Sequence, residues 1–123
     1  MKYGFKLLSF MSLVVASFCA LANSNEVHLV LENHLFYPST VVITANTKVK
    51  LIIENKDATP EEFDSFDLNR EKVLFAKSKT TIYIGPLDPG EYKFFGEFNP
   101  AMAVGKVVVK SSKQLMQENA DVK

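Results

Sequence analysis

Side chains that could bind a metal ion are few in this sequence, and most of them offer oxygen. Glu61 and Glu62 stand together after Pro60, and His34 lies in an earlier segment. Carboxylates with a single imidazole suit Fe(II) or Mn(II) better than Cu(I), which prefers sulfur ligands. We therefore expect any metal site here to be oxygen-rich and to suit iron (Fe2+) best, with copper as the other candidate metal.

Each of these residues also has an ordinary structural interpretation. His34 could hydrogen-bond within a loop, and Glu61 with Glu62 could form a solvated acidic turn. The acidic residues that follow lack calcium-loop spacing and are interpreted as surface charge that Arg70 and Lys72 balance: Asp64, Asp67 and Glu71. The sequence contains no nucleophile–His–acid set, so we expect no enzymatic activity, and an accessory role in iron oxidation stays open.

Composition excludes several classes of protein. The 123 residues contain 14 basic and 14 acidic side chains, and this balance argues against nucleic-acid binding. With 47% hydrophobic and 23% charged residues, the chain has a globular composition and the length of one domain. A single cysteine rules out a disulfide framework, a zinc finger and an iron–sulfur cluster.

Residues 1–22 have the pattern of a cleavable signal peptide. Lys2 and Lys6 precede an uncharged apolar run, and Ala20 and Ala22 supply the small residues before the cleavage point. The run is too short for the roughly 20 residues that span a bilayer. Cleavage would remove Cys19, so the sequence predicts a periplasmic protein without a thiol and without a membrane span.

The rest of the chain alternates with the period of β-strands. Eight segments contain the alternating or β-branched residues: 27–31, 41–44, 49–53, 63–68, 72–76, 80–84, 92–95 and 107–109, of which 63–68 and 72–76 are the weaker candidates. Turn residues separate them, as at Asn55–Asp57 and at Asp88–Gly90. Eight short strands at this spacing predict an all-β fold, a Greek-key β-sandwich spanning residues 23–110.

Strand parity gathers four of the connections at one end of this sandwich. If successive strands run up and down, the loops near 33–39, 55–62, 77–78 and 96–103 share that end, here named the four-loop end. Functional residues often lie on loops held by a rigid scaffold, so we expect a site there. Residues 111–123 contain few large apolar side chains and are expected to form a flexible C-terminal tail or a short exposed helix.

Two stretches resemble the cupredoxins. LFYPSTVVITANTKVKLIIENKDATPEEF is similar to the first half of that fold, and GEYKFFGEFNPAMAVGKVVV to its last two strands and ligand loop. TPEEFDS, LNREKV and EYKFFGEFNP resemble more specifically the EfeO-type cupredoxin-like family of periplasmic iron-uptake systems. The resemblance implies a cupredoxin-like sandwich and a role in iron transport.

The copper ligands of that pattern are not reproduced here. A blue-copper site uses two His, one Cys and a weak axial Met. In the corresponding places the chain has Glu61, Gly96 and Asn99, and only Met102 matches. The resemblance therefore implies no type 1 blue-copper site. The candidate metal-binding residues are Glu61, the best single candidate, then Glu62 and His34, with Glu97, Asn99 and Met102 beside them.

Two functions follow as hypotheses. In the first, the protein is a periplasmic component of a ferrous-iron uptake system that binds or relays metal at the four-loop end. In the second, it is a metal-free interaction module that docks onto an inner-membrane iron permease or a periplasmic iron-binding protein. The apolar surface for docking would include Leu35, Phe36, Phe98 and Met102.

Overall fold

Nine strands and one helix make up the part of the chain that the structure describes, residues 25–122 of a computed structural model. The strands are β1 (Glu26–Glu32), β2 (Leu35–Tyr37), β3 (Thr40–Thr44), β4 (Val49–Asn55), β5 (Glu61–Ser65), β6 (Arg70–Leu74), β7 (Ser78–Ile84), β8 (Gly90–Gly96) and β9 (Val104–Lys110). They form a four-stranded sheet in the order β2-β1-β4-β7 and a five-stranded sheet in the order β3-β9-β8-β5-β6. The predicted all-β sandwich is confirmed.

The core lies between the two sheets, because alternate side chains of every central strand point inward. In β4, for example, Val49, Leu51 and Ile53 are buried while the residues between them are half-exposed. Phe36 belongs to this core and not to the docking surface on which the sequence placed it, because it is only 3% exposed. It packs with Phe63 and Phe94, and the ring centroids of the three are 5.1 to 6.2 Å apart. Edge-to-face and tilted contacts of this kind add to the free energy that burial contributes.

The chain changes sheets between β2 and β3. β2 forms a hairpin with β1 in one sheet, whereas β3 pairs with β9 in parallel in the other. β1 and β4 are also parallel, and the remaining strand pairs are antiparallel. β2 and β3 run in the same direction, one in each sheet. The unpredicted strand β2 therefore does not change which of the later loops lie at the four-loop end.

The strand predictions differ from the structure in two respects. The three-residue strand β2 is a ninth strand that the alternation did not predict, because Leu35–Tyr37 is too short to show a period. The weaker candidates 63–68 and 72–76 both begin two residues earlier in the structure, as β5 and β6, and β5 ends three residues earlier. Residues 66–68, which were assigned to the first of these strands, belong instead to the turn that leads into β6, in which Asn69 adopts a positive φ of 51°.

The predicted four-loop end is present, and hydrogen bonds between its loops hold it together. The Asp57 carboxylate, in the loop after β4, accepts hydrogen bonds from the backbone N–H groups of Asn33 and His34 after β1. The Lys77 N–H, in the loop before β7, donates to the carbonyl of Asp57. The loop after β8 is joined to β5 when the Glu97 N–H donates to the carbonyl of Glu62.

The chain after β9 forms the exposed helix α1 (Ser112–Asp121), one of the two alternatives for this segment rather than a flexible tail. Ser111 and Gln114 form a capping box at its first turn. The predicted signal peptide, residues 1–22, lies outside the described residues. Within residues 25–122, no helix is long and apolar enough to cross a membrane.

Candidate metal centre and the surface around it

Glu61 is the predicted site residue that the fold places at the centre of the four-loop end. It is the first residue of β5, whose alternation turns Glu61, Phe63 and Ser65 inward. Glu61 is only 1% exposed, and it is one of the few buried polar residues of the described chain. A buried carboxylate is costly unless its oxygens accept hydrogen bonds, so its partners decide what it can do.

Three N–H donors bind the Glu61 carboxylate. The backbone N–H groups of Glu62 and Phe98 both donate to Oε1, each at 2.8 Å. The side-chain amide nitrogen of Asn99 donates to Oε2, also at 2.8 Å. These bonds join β5 to the loop after β8 and satisfy the carboxylate within the protein.

Gly96 makes room for this carboxylate. A Cβ atom built on Gly96 would lie 2.6 Å from Cδ and 2.7 Å from Oε2 of Glu61, and 2.7 Å from Cβ of Ala103. Real Cβ atoms do not approach other atoms so closely, so the position requires glycine for packing. The family pattern has its thiolate at this place, and here the Glu61 side chain occupies the space instead.

The structure brings Asn99 to Glu61 but leaves the other predicted ligands elsewhere. Asn99 contributes its amide nitrogen, which is a donor and not a metal ligand. The His34 ring faces Asp57, with Nδ1 3.7 Å from the Asp57 carboxylate. Glu97 is exposed, and Met102 is 49% exposed.

Glu62 belongs to a different group, on the outer face of the five-stranded sheet. Glu62 and Asp64 point outward from β5, Glu71 lies opposite Asp64 on β6, and Glu97 follows β8. We call these four residues the acidic cluster. A hydrogen bond with Glu71 and loss of hydration raise the pKa of Glu62 to about 7, and the other carboxylates of the cluster add repulsion.

The residues of this end do not fit a copper centre. Across residues 25–122, no group of three or more His, Cys, Asp or Glu side chains has an arrangement that could hold a metal ion. A type 1 centre needs two imidazoles and a thiolate, and Glu61 fills the space next to Gly96. The donors on Glu61 are N–H groups, which a metal ion would have to displace.

Sequence reasoning missed the backbone N–H of Phe98 that binds Glu61 and the aromatic residues of the outer face. The Phe98 N–H carries no signal in the sequence, because every residue except proline would offer the same group there. Phe66 and Phe95 form a tilted pair on the outer face, with ring centroids 5.6 Å apart. The alternation of Phe94, Phe95 and Gly96 could have placed Phe95 outward.

Comparison with known proteins agrees with this fold. The family model described as "Cupredoxin-like domain" matches residues 6–109. The chain belongs to this family. A curated relative, "Uncharacterized protein RP394" of Rickettsia prowazekii (strain Madrid E), is 41% identical over 87 residues, which cover 71% of this chain and 70% of the relative. These matches establish the cupredoxin-like domain, and neither of them supports the narrower EfeO-type family.

Solved structures similar to this cupredoxin-like domain share its sandwich. The metal-binding domain of the Cu(I)-exporting P-type ATPase CopA from Streptococcus pneumoniae D39, solved with Cu(I), matches with a TM-score of 0.62 and 11% identity, covering 70% of this chain and 85% of that one. A purple cupredoxin from Nitrosopumilus maritimus matches with a TM-score of 0.53 and 21% identity, covering 68% of this chain and 98% of that one. Amicyanin from Paracoccus versutus (Thiobacillus versutus) matches with a TM-score of 0.56 and 20% identity, covering 74% of this chain and 87% of that one.

Proposed function

We propose that this cupredoxin-like protein is a docking module that binds another protein at its four-loop end and does not use that end as a metal centre. The observation that supports the proposal is the Glu61 carboxylate. It lies where the family pattern has ligands, and three N–H donors already satisfy it. A copper protein would leave this position to the metal, whereas here an internal hydrogen-bond network ties the loop.

The surface offered to a partner is the loop held by Glu61. This loop presents Phe98 and Met102 at 52% and 49% exposure, and Val104 beyond them at 51%. Within the loop, the Met102 and Ala103 N–H groups donate to the Asn99 carbonyl. Apolar side chains on a loop fixed in this way lose little conformational entropy on binding, which favours association.

Sequence patterns support the cellular location and the partner that we propose for this protein. The residue pattern of 1–22 supports export to the periplasm. The EfeO-type resemblance of EEFDS and EYKFFGEF supports a place in ferrous-iron uptake, with an inner-membrane permease or a periplasmic iron-binding protein as partner. We propose both as part of this function.

The metal-handling function stays an alternative prediction. It requires Glu61 to exchange its N–H donors for a cation, or a cation to bind outside on the acidic cluster. Calorimetric titration of the purified protein with Fe(II), Mn(II), Cu(II) and Cu(I) tests it. We expect no stoichiometric binding; binding that Glu61→Gln weakens roughly tenfold or more, about 1.4 kcal/mol, would favour metal handling instead.

Site-specific photocrosslinking in cells that express the protein natively tests the docking function. We expect a discrete adduct when the crosslinking residue replaces Phe98 or Met102. The matched control is Met116 on α1, which is 66% exposed but lies outside the proposed surface. Absence of adducts at Phe98 and Met102, or equal adducts at Met116, would contradict the proposal.

A further inference from the structure

On the outer face of the five-stranded sheet, one row of neighbouring side chains across the strands changes from apolar at one end to acidic at the other. Val104 pairs with Phe95, Phe95 with Asp64, and Asp64 with Glu71, so these four residues lie side by side on neighbouring strands. Phe66 packs against Phe95 in a tilted pair and is 82% exposed. The outer face therefore has an aromatic half and an acidic half in contact.

Within residues 25–122, no basic side chain forms an ion pair with the acidic half, although Arg70 lies beside it. Arg70, the neighbour of Glu71 on β6, donates instead to the carbonyls of Tyr83 and Asn69. Lys93 and Lys106 lie opposite each other beside the aromatic half of the same face, and Lys106 pairs with Glu91. The cluster stays crowded enough to raise the pKa of Glu62 to about 7.

A cation supplied from outside would relieve this repulsion, and the aromatic half would bury apolar surface beside it. Charge complementarity steers association and selects the partner, while buried aromatic side chains supply most of the affinity. A second copy of this chain is a poor occupant, because it would bring its own acidic cluster to the interface. The arrangement favours a different protein of opposite charge.

We propose that the outer face of the five-stranded sheet docks a protein surface that carries Lys or Arg side chains next to an apolar patch. This inference rests on the proposed docking function and names the chemistry of its partner. Phe66 and Phe95 contact the partner's apolar patch, and the acidic cluster receives its cations. Phe98 and Met102 extend the contact at the four-loop end.

Two peptide probes test the charge preference directly. The purified protein, labelled with ¹⁵N, is titrated with the blocked peptides Lys-Leu-Lys-Leu-Lys and Glu-Leu-Glu-Leu-Glu while amide shifts are recorded. We expect the basic peptide to shift signals of β5, β6 and β8, and Glu71→Gln with Glu97→Gln to weaken it roughly fivefold. Glu32→Gln, an exposed charge on the other sheet, is the matched control.

The same titration contains the results that would overturn the proposal. Equal shifts with the acidic peptide, equal weakening by Glu32→Gln, or no shifts on the outer face would each contradict it. So would concentration-dependent self-association through this face, measured by sedimentation and lost in Phe66→Ala. Phe66→Ala should weaken the basic peptide, whereas Met116→Ala on α1 should not.

Photocrosslinking separates failure of this inference from failure of the docking function. A native-cell adduct at Phe98 that persists in Glu71→Gln with Glu97→Gln, without any adduct at Phe66, would leave docking intact and overturn the partner chemistry. Loss of all adducts in the parent protein would overturn both. Adducts at both positions that fall with the charge variant, and not with Glu32→Gln, support the inference.

Discussion

At Glu61, one side chain connects a strand to a loop far away in the sequence. Its carboxylate accepts hydrogen bonds from Phe98 and Asn99 as well as from its neighbour Glu62. In a copper centre, a metal would join the corresponding segments. Here the carboxylate performs the joining, so its loss should affect stability and loop order rather than redox chemistry.

Glu61→Ala should be strongly destabilising. The substitution leaves the Phe98 N–H and the Asn99 amide without their acceptor and creates a cavity, for a loss of about 2–4 kcal/mol in the free energy of unfolding. Glu61→Gln should lose less, because the Asn99 amide can rotate to offer its oxygen. Urea denaturation measures both; a Glu61→Ala protein as stable as the exposed control Glu32→Ala would contradict the assigned role.

Gly96→Ala should be destabilising through the same contact. Its Cβ would overlap Glu61 and Ala103, at a cost of about 1–3 kcal/mol. The double variant with Glu61→Ala should lose about 1 kcal/mol less in the free energy of unfolding than the sum of the two single losses, because truncating Glu61 makes room for the new Cβ atom. Simple additivity in urea denaturation, as expected for Gly96→Ala with Glu32→Ala, would show that the two sites are independent.

At the scale of elements, β5 separates two adjacent glutamates into different environments. Glu61 points into the sandwich, and Glu62 points outward to the acidic cluster. The alternation of a strand makes this separation unavoidable, because neighbouring side chains lie on opposite faces. One face of the strand therefore contributes to the internal network, and the other contributes surface charge.

The raised pKa of Glu62 predicts how stability depends on pH. Between its ordinary value of 4.5 and about 7, the folded protein retains a proton on Glu62 that the unfolded chain has lost. The free energy of unfolding should therefore fall as pH rises through this window and level off above it. Glu71, Glu97 and Asp64 are the carboxylates that face Glu62.

Urea denaturation at several pH values between 4.5 and 7.5 measures this slope. Glu62→Gln should flatten it, since the substituted side chain has no proton to lose. Glu32→Gln, whose carboxyl lies outside the acidic cluster, should leave the slope unchanged. A slope that survives in Glu62→Gln would assign the pH dependence to another group.

Helix α1 should contribute little to the stability of the sandwich. None of its residues is buried, and its visible ties are the Ser111 capping box and an ion pair between Lys110 and Glu118. Ending the chain after Ser111 should change the free energy of unfolding by about 1 kcal/mol or less. A larger loss in thermal or urea denaturation would show that α1 packs more tightly than its exposure indicates.

At the scale of the whole molecule, the buried core of the sandwich holds both the four-loop end and the outer face of the five-stranded sheet in place. The buried aromatic trio and the aliphatic side chains between the sheets position the four-loop end. The same scaffold holds the outer face of the five-stranded sheet, with its aromatic and acidic halves. One rigid fold thus presents a closed internal site and an open surface at neighbouring positions.

The period-two strands, the all-β sandwich and the end at which four loops meet could all be predicted from the sequence. These features follow from local alternation, which residues close in the chain decide. The family resemblance already favoured Glu61 over Glu62 as the residue directed at the site. The three-dimensional structure was needed to show that Phe98 and Asn99, 37 and 38 residues away, bind it. It also decided which carboxylates gather around Glu62. Such contacts depend on strand register and sheet order, which local alternation does not specify.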